Sequence, residues 1–456
     1  MTREPALNGA PAKFVTGSLA RHVTVMALSG TAGLTFTFLV DFLALWWIGR
    51  LGQEQMIAAV GIAGTIQFAV MSVAIGMMIG AVALVSRTLG RGEREKARHI
   101  AGTALVLSVA VQTGLAAAVW TFRVPILTAS GAEGAVLDLA DRFLTVSLPS
   151  LPLIALGITS SGLLRAAGDA WRSMTVTMAG GAVAIVLDPL LIVWAGWNVT
   201  GAALSIVIAR AAMAGAGVWF LIAHHRMLRL PSRADFGHYV RPYAAIVLPA
   251  IATQLSTPFG NWIVTREMAA QGDSAVAGWG VVMRLTILAF GGIFALSGAI
   301  GGIIGQNYGA GRPDRVAGAF VAALRFCAAY TLTTWAVMAL LGGTVAASFG
   351  LSADGLAVVR AFTHVSAGAF IFTGALFVAN AAFNNLGRPL RSTAANWTRD
   401  GLLMAPLAWA GATLAGGPGI VWGQGVANVL AGTAAALLAW RHIARLRRDH
   451  AASGPV

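Results

Sequence analysis

The sequence predicts an all-α polytopic membrane protein, and three observations carry that prediction. Hydrophobic residues make up 57% of the 456 residues and charged residues only 11%, against about 25% charged in soluble proteins. The mean hydropathy is +0.76. The apolar runs reach about twenty residues or more, the length of a membrane-crossing helix, whereas a barrel would alternate over segments of about ten. These features exclude a water-soluble enzyme, a disordered chain and a nucleic-acid-binding domain. The net charge of +14, from 31 Lys+Arg against 17 Asp+Glu, would suggest nucleic acid in a soluble protein. Here the basic residues fall in short loops, where the rule for membrane topology accounts for them. The one cysteine, Cys327, lies in an apolar run, so no disulfide framework is predicted. The first apolar run is longer than a signal h-region and lacks a clear cleavage site, so no secretory signal is predicted.

About twelve spans can be placed in order. The first six run from His22 to Ile48, Ile57 to Val85, Ile100 to Phe122, Phe143 to Leu164, Met174 to Trp194 and Val199 to Ala223. The second six run from Tyr243 to Thr265, Ala275 to Ile304, Val316 to Leu341, Leu356 to Phe383, Thr393 to Leu414 and Ile420 to Trp440. Several exceed the minimum length, which leaves room for tilt or a kink. The loops then sort by charge. One side carries the Arg87-to-Arg98 loop, Arg165 with Arg172, the Arg226-to-Arg241 loop, Arg312 with Arg315, Arg388 with Arg391, and the tail from Arg441 to Arg448. It also carries Arg3, Lys13 and Arg21. The other side has only Arg50, Arg123, Arg142, Arg266 and Arg360. Positive charge stays inside, so both termini are expected in the cytoplasm of a bacterial-type inner membrane. Arg325, just inside a span, can snorkel to that face. Trp46, Trp47, Trp120, Trp194, Trp197 and Trp440 fall near span ends, as an interfacial aromatic belt requires.

The inner loops repeat. LVSRTLGRGEREKA from Leu84 aligns without gaps on IIGQNYGAGRPDRV from Ile303, placing Gly90 on Gly309 and Gly92 on Gly311, an offset of 219. Gly168, Arg172 and Ser173 meet Gly387, Arg391 and Ser392 at the same offset, and Ala58 and Gly61 meet Ala277 and Gly280. Each half has six spans, an even number, so both enter from one side and the repeat is parallel. The expected organisation is an N-terminal segment (1–21), an N-lobe (22–223), a basic linker (224–241), a C-lobe (242–440) and a basic tail (441–456). Two such bundles can rock about a central site, which suggests a transporter. A membrane enzyme would need a catalytic or metal-binding cluster, and the eight histidines form no His-x-x-x-His pair within a helix. Adjacent His224 and His225 are read as interfacial. The glycines at 90, 92, 309 and 311 are not a phosphate-binding loop, because no Gly-Lys-Ser/Thr follows; they read as tight turns.

These residues carry a resemblance. The stretches VDFLALWWIGRLG from Val40, LVSRTLGRGEREKA from Leu84, GLLRAAGDAWRSM from Gly162, VLDPLLI from Val186, GQNYGAGRPDRV from Gly305 and NNLGRPLRS from Asn384 resemble the multidrug and toxic compound extrusion (MATE) family over nearly the whole chain. The resemblance implies twelve helices in two lobes around a V-shaped cleft, with proton- or sodium-driven export of small organic cations or amphipathic drugs. Asp41 and Asp188, the latter before Pro189, match the amino-lobe carboxylates of the DNA-damage-inducible-F-like branch. Where that branch often has an asparagine one turn before the second carboxylate, this chain has Ala184. Gln254, Asn261, Asn380 and Asn384 stand in the seventh and tenth spans, which carry no acid in their middles. That departs from the branch with a carboxyl-lobe sodium site.

Ionisable groups inside spans are functional hypotheses by default, because burying them is expensive. Asp41 and Asp188 lie roughly 10 and 9 Å from the outer ends of their spans at 1.5 Å per residue, and therefore at one depth. Two acids sharing a low-dielectric site can take a proton from one side and release it on the other. Thr37, one turn before Asp41, could orient it or join a sodium shell. Their counterparts at the repeat offset are Gly260 and Leu407, so the scaffold does not demand acids there. Arg399 and Asp400, as helical neighbours, are expected to point about 100° apart and to need separate partners. Gln254, Asn261, Met283, Arg284 and Asn380 are candidate ion or substrate contacts. Met26, Met71, Met77 and Met78 read better as core than as cleft lining. No organic cofactor is expected, protons are the first coupling ion and sodium the second, and no metal site beyond sodium at Asp41 and Asp188 is suggested. A monomer is expected, with lipids and small molecules but no nucleic acid as partners. The rival reading is a lipid-linked oligosaccharide flippase, whose cleft would need several arginines for a diphosphate. Only Arg210, Arg284 and Arg399 lie well inside spans, and they are scattered.

Overall fold

The computed structural model describes residues 12–49, 54–348 and 350–452. Arg3 and Arg50 of the charge pattern lie outside them. The described residues contain helices and turns and no strand. The helices are α1 (Leu19–Gly49), α2 (Glu54–Gly90), α3 (Arg94–Thr121), α4 (Arg123–Ala129), α5 (Gly134–Ser147), α6 (Leu151–Ala166), α7 (Ala170–Asp188) and α8 (Asn198–Trp219). Then come α9 (Arg233–Ala269), α10 (Asp273–Ala289), α11 (Gly291–Gly309), α12 (Pro313–Ser348), α13 (Ala353–His364), α14 (Phe370–Asn385), α15 (Pro389–Trp397) and α16 (Met404–Ala452). Among the described residues nine helices are long and apolar enough to cross a membrane, or ten if one bent pair is a single span. Their exposed surface is oily: Leu414 and Leu340 are 85% and 81% exposed, as expected where lipid replaces water. Trp46, Trp120, Trp194, Trp197 and Trp440 are all exposed, whereas Trp47 packs against the core.

Several expected straight spans are broken, each for a local reason. The fourth begins nine residues earlier than predicted, at Gly134, and runs through a 3-10 turn at Leu148–Ser150. Pro149 and Pro152 open the turn and α6, where a missing N–H costs least. The eighth is two helices, α10 and α11, bent by 49°. The tenth breaks at Val365, whose backbone is non-helical (φ −121°, ψ −65°), between α13 and α14. Pro189 does not end its span but starts a π-helical stretch, Pro189–Trp194; further π-helical stretches are Phe220–His224 and Thr398–Leu403. Within α16, Ala415 and Gly416 leave helical geometry, Gly416 with φ +60°, so two straight pieces meet there. The short α4 was not expected; it forms because Leu127 is fully buried among Leu144, Leu148 and Leu151.

The chain divides into two compact units. Unit 1 takes residues up to Thr31, Ser86–Gly92 and Leu248 onward; unit 2 takes Ala32–Val85 and Glu93–Val247. The core of unit 1 includes a stacked pair, Phe290 on Phe370, with ring centroids 3.9 Å apart, and the buried Cys327 against Gly374. In unit 1 the ends of α2 and α11 approach backbone to backbone. A Cβ on Gly90 would lie 2.1 Å from the Gln306 carbonyl, and one on Gly309 would lie 2.0 Å from the Arg87 carbonyl. Only glycine permits that approach. The turns beyond them need positive φ, +78° at Gly92 and +66° at Gly311. The loops at Gly168 and Gly387 do the same, at +88° and +78°.

Candidate ion-coupling site

In unit 2 the candidate site is built on α1, α2, α7 and α8. Asp41 sits in the last third of α1 and is exposed. It makes no hydrogen bond or ion pair with any described residue, yet the charges of Asp188 and Arg210 both reach it. Asp188, the last residue of α7, is 3% exposed. The buried Ser205 hydroxyl of α8 lies near its carboxylate and makes no hydrogen bond with any described residue. The π-helical turn after Asp188 is packed by Gly201 of α8, where a Cβ would strike the Leu191 carbonyl at 2.5 Å. The break that Pro189 imposes is thus fixed by α8 and holds Asp188 at its start. Thr37 is half-buried and donates to the Gly33 carbonyl at 3.0 Å, so its hydroxyl oxygen, rather than its proton, remains for a ligand.

The cationic partner of this site was not singled out from sequence. Arg210 of α8 is half-buried and donates to Ser150 Oγ at 2.8 Å, to the Ser147 carbonyl at 3.2 Å and to Gln67 Oε1. Gln67 in turn donates to Ser147 Oγ at 2.9 Å. Three acceptors from α2, α5 and the turn before α6 therefore fix one guanidinium of α8 inside the bundle. Such a network holds its geometry because any unpaired member would be costly in this dielectric. A signal was available: Gln67, Ser147, Ser150 and Arg210 are polar residues inside predicted spans. Two carboxylates and one held cation can bind a proton or a small cation and exchange it for a substrate charge.

In unit 1 the sequence candidates do not converge on one cluster. Asn380 is buried and accepts from Asn396 Nδ2 at 2.9 Å. Gln254, Asn261 and Met283 are half-buried, and Asn384 is buried. Arg284 is exposed in the middle of α10 with no partner among the described residues. The expectation that Arg399 and Asp400 need separate partners is corrected. They pair with each other, Nε to Oδ1 at 2.7 Å and an Nη to Oδ2 at 2.8 Å, while 5% and 2% exposed. Their helix is π-helical there, and the long arginine stem curls back over its neighbour. Ser256 Oγ of α9 donates to the same carboxylate at 2.8 Å. Asp400 also fills the space beside Gly260, where a Cβ would meet Oδ1 at 2.8 Å. The position aligned with Asp41 thus faces a carboxylate after all, supplied by another helix.

Outside the spans, the basic stretch after α8 is strapped to unit 2. His225 and Arg172 pair with Asp169 at 2.8 and 2.6 Å, and Arg94 donates to the His225 carbonyl at 2.7 Å. Burial opposes the Asp169 charge, but its bonds from His225 and Arg172 outweigh that and hold the carboxyl well below the usual range. Asp235 pairs with His99 at 3.0 Å. The Ser232 N–H, followed by His99, lowers the Asp235 carboxyl to about 2. His225 is therefore a hydrogen-bond partner of Asp169.

The sequence comparisons agree with this architecture. The family model MatE matches residues 32–190 and 249–410, so the chain belongs to the MATE family of polytopic membrane transporters. It is 26% identical over 438 residues to the FAD transporter of Shewanella oneidensis, covering 94% of this chain and 96% of that one. It is 24% identical over 432 residues to the multidrug export protein MepA of Staphylococcus aureus, covering 91% and 92%. Among solved structures, a multidrug resistance MATE transporter in an outward-facing conformation matches with a TM-score of 0.89 at 20% identity, covering 96% of this chain and 99% of that one. A MOP superfamily transporter from Pyrococcus furiosus matches equally, at 0.89, 20%, 96% and 99%. At these identities the structural match is one of fold.

Proposed function

We propose that the chain is a secondary antiporter that exports organic cations or amphipathic compounds by alternating access, with protons as the coupling ion and Asp41 and Asp188 as the groups that bind them. The observation that carries this reading is Asp41: a carboxylate on a membrane helix, unpaired among the described residues, within electrostatic reach of a second acid and a held arginine. Leaving such a charge unpaired is expensive unless it binds something. A proton at Asp41 removes its repulsion of Asp188 and its attraction for Arg210, and so changes the forces between α1, α7 and α8. An arriving cation can take the proton's place. Sodium is the second choice, with Thr37, Ser205 and backbone carbonyls as further oxygens; Ala184 supplies none.

Twelve spans follow if α9 is counted, the bent pair is one span and the chain from Pro389 is divided at Gly416. The repeat at offset 219 is supported by the reciprocal approaches of Gly90 to Gln306 and Gly309 to Arg87, which are the same contact exchanged between halves. The DinF-like branch remains part of the proposal, supported by Asp41 and Asp188, as do the two lobes, cytoplasmic termini, a bacterial inner membrane and a monomer. The flippase reading loses support because Arg210 and Arg399 are engaged by neighbours. A flavin dinucleotide is a second substrate reading, favoured by the exposed, unpartnered Arg284 and by the relative that is an FAD transporter. Efflux in cells lacking their own pumps tests the main reading. Asp41→Asn is expected to abolish export at normal expression, and wild-type export from that variant would remove Asp41 from the mechanism. Loss of flavin export in Arg284→Gln with cationic dyes unaffected would select the dinucleotide.

A further inference from the structure

A groove of about 780 Å³ opens on the surface of unit 1 between the start of α1, α12 and the end of α16. Its walls are apolar along Leu19, Val321 and Phe326, and its floor is lowered by Gly318, where a Cβ would come within 2.8 Å of Leu19 Cδ1. Two arginines line it. Arg447 is bound by Asp314 at 2.7 Å. Arg325 is exposed and has no hydrogen-bond or ion-pair partner among the described residues. It stands twelve residues beyond Pro313, roughly 18 Å along α12 at 1.5 Å per residue, on a helix apolar enough to cross the membrane. Trp440, an interfacial residue type, also lines the groove.

An arginine that far along a membrane helix snorkels toward the headgroups and needs a counter-charge there, because a lone guanidinium among acyl chains is costly. The described residues supply none to Arg325, although they do to Arg399 and give Arg210 neutral acceptors. The groove is apolar along one axis and cationic at one point, which is the shape and charge of one amphipathic anion. We propose that it binds an anionic phospholipid of the inner leaflet, its phosphate on Arg325 and an acyl chain along Val321, Phe326 and Leu19. Basic pockets between membrane helices on the cytoplasmic side hold such headgroups elsewhere. The site is separate from Asp41 and Asp188 and does not depend on what the chain transports.

Native mass spectrometry of the full-length protein, with phosphatidylglycerol and phosphatidylcholine offered separately, tests it. Phosphatidylglycerol is expected to be retained and phosphatidylcholine lost. Arg325→Gln is expected to lower retention about fivefold, the worth of one interfacial arginine. Ala322→Trp, which blocks the apolar wall and leaves both arginines, is expected to lower it as well, while Arg441→Gln on the tail is not. Unchanged thermal unfolding of each variant in detergent shows that the fold survives. Equal retention of both lipids, or wild-type retention by Arg325→Gln, overturns the proposal. Displacement of the lipid by millimolar inorganic phosphate also overturns it, since the groove would then be a phosphate site.

Discussion

The Arg399–Asp400 pair gives the sharpest test of how this bundle holds charge. Both side chains are almost wholly buried, and the carboxylate takes two bonds from the guanidinium and one from Ser256. Asp400→Asn keeps the shape and removes the charge, leaving Arg399 buried without a counter-ion. Breaking such a pair costs about 3–5 kcal/mol. For a chain of this length that is a fall in melting temperature of about 3–5 °C, scaling the unfolding entropy per residue. The double variant Arg399→Met, Asp400→Leu removes both charges at similar volume. Ser256 is not orphaned by it, because its hydroxyl also donates to the Thr253 carbonyl at 2.9 Å. The double variant should therefore melt at or above wild type and still transport. Thermal unfolding in detergent and efflux from cells, measured on both variants, give the answer. A double variant that is stable but inactive would refute the structural reading and place Asp400 in the transport cycle, beside Gly260. A single variant as stable as wild type would refute the reasoning on buried pairs.

Gly90→Ala and Gly309→Ala should each fail to accumulate or should melt well below wild type, since a methyl at about 2 Å from a carbonyl forces α2 and α11 apart by roughly 1 Å, an overpacking cost of about 1–3 kcal/mol or more; Gly114→Ala, with open space at its Cβ, is the control and should be neutral. Asp169 is held below its ordinary range, so the stability it contributes is present above about pH 4 and lost as the pH falls through its depressed value; Asp169→Asn should lower the melting point at neutral pH and flatten its decline toward acid, a curve that scanning fluorimetry reads directly. Ser130→Cys in a Cys327→Ser background should be labelled by an impermeant maleimide added outside intact cells, and labelling only after the membrane is opened would reverse the topology.

Much of the helical framework was legible because lipid and backbone leave few options. Gly92 and Gly311 were readable as turns, since a tight reversal between long helices calls for positive φ, whereas Gly90 and Gly309, read the same way, are the last residues of α2 and α11. The glycines at 90 and 309 stand out in the sequence, and the structure gives each a backbone approach that admits no side chain. What escaped was what depends on partners far along the chain. Nothing local to Arg210 says that Gln67, Ser147 and Ser150 will meet it, and nothing near Asp169 points to His225. The self-pairing of Arg399 and Asp400 escaped because residue spacing was read on an ideal α-helix, whereas the turn there is π-helical. The π-helical stretch after Asp188 was not legible, because it packs against Gly201 on the next helix. Arg284 was legible as an oddity, and it remains exposed without a partner.

The central claim is that protons at Asp41 and Asp188 drive export. Purified protein in liposomes, with a pH gradient or a sodium gradient imposed separately and the membrane potential collapsed, measures it directly. The account predicts uphill movement of an organic cation under the pH gradient alone, lost in Asp41→Asn. Uphill movement under sodium alone, with the pH clamped on both sides, would contradict it and make the two carboxylates sodium ligands.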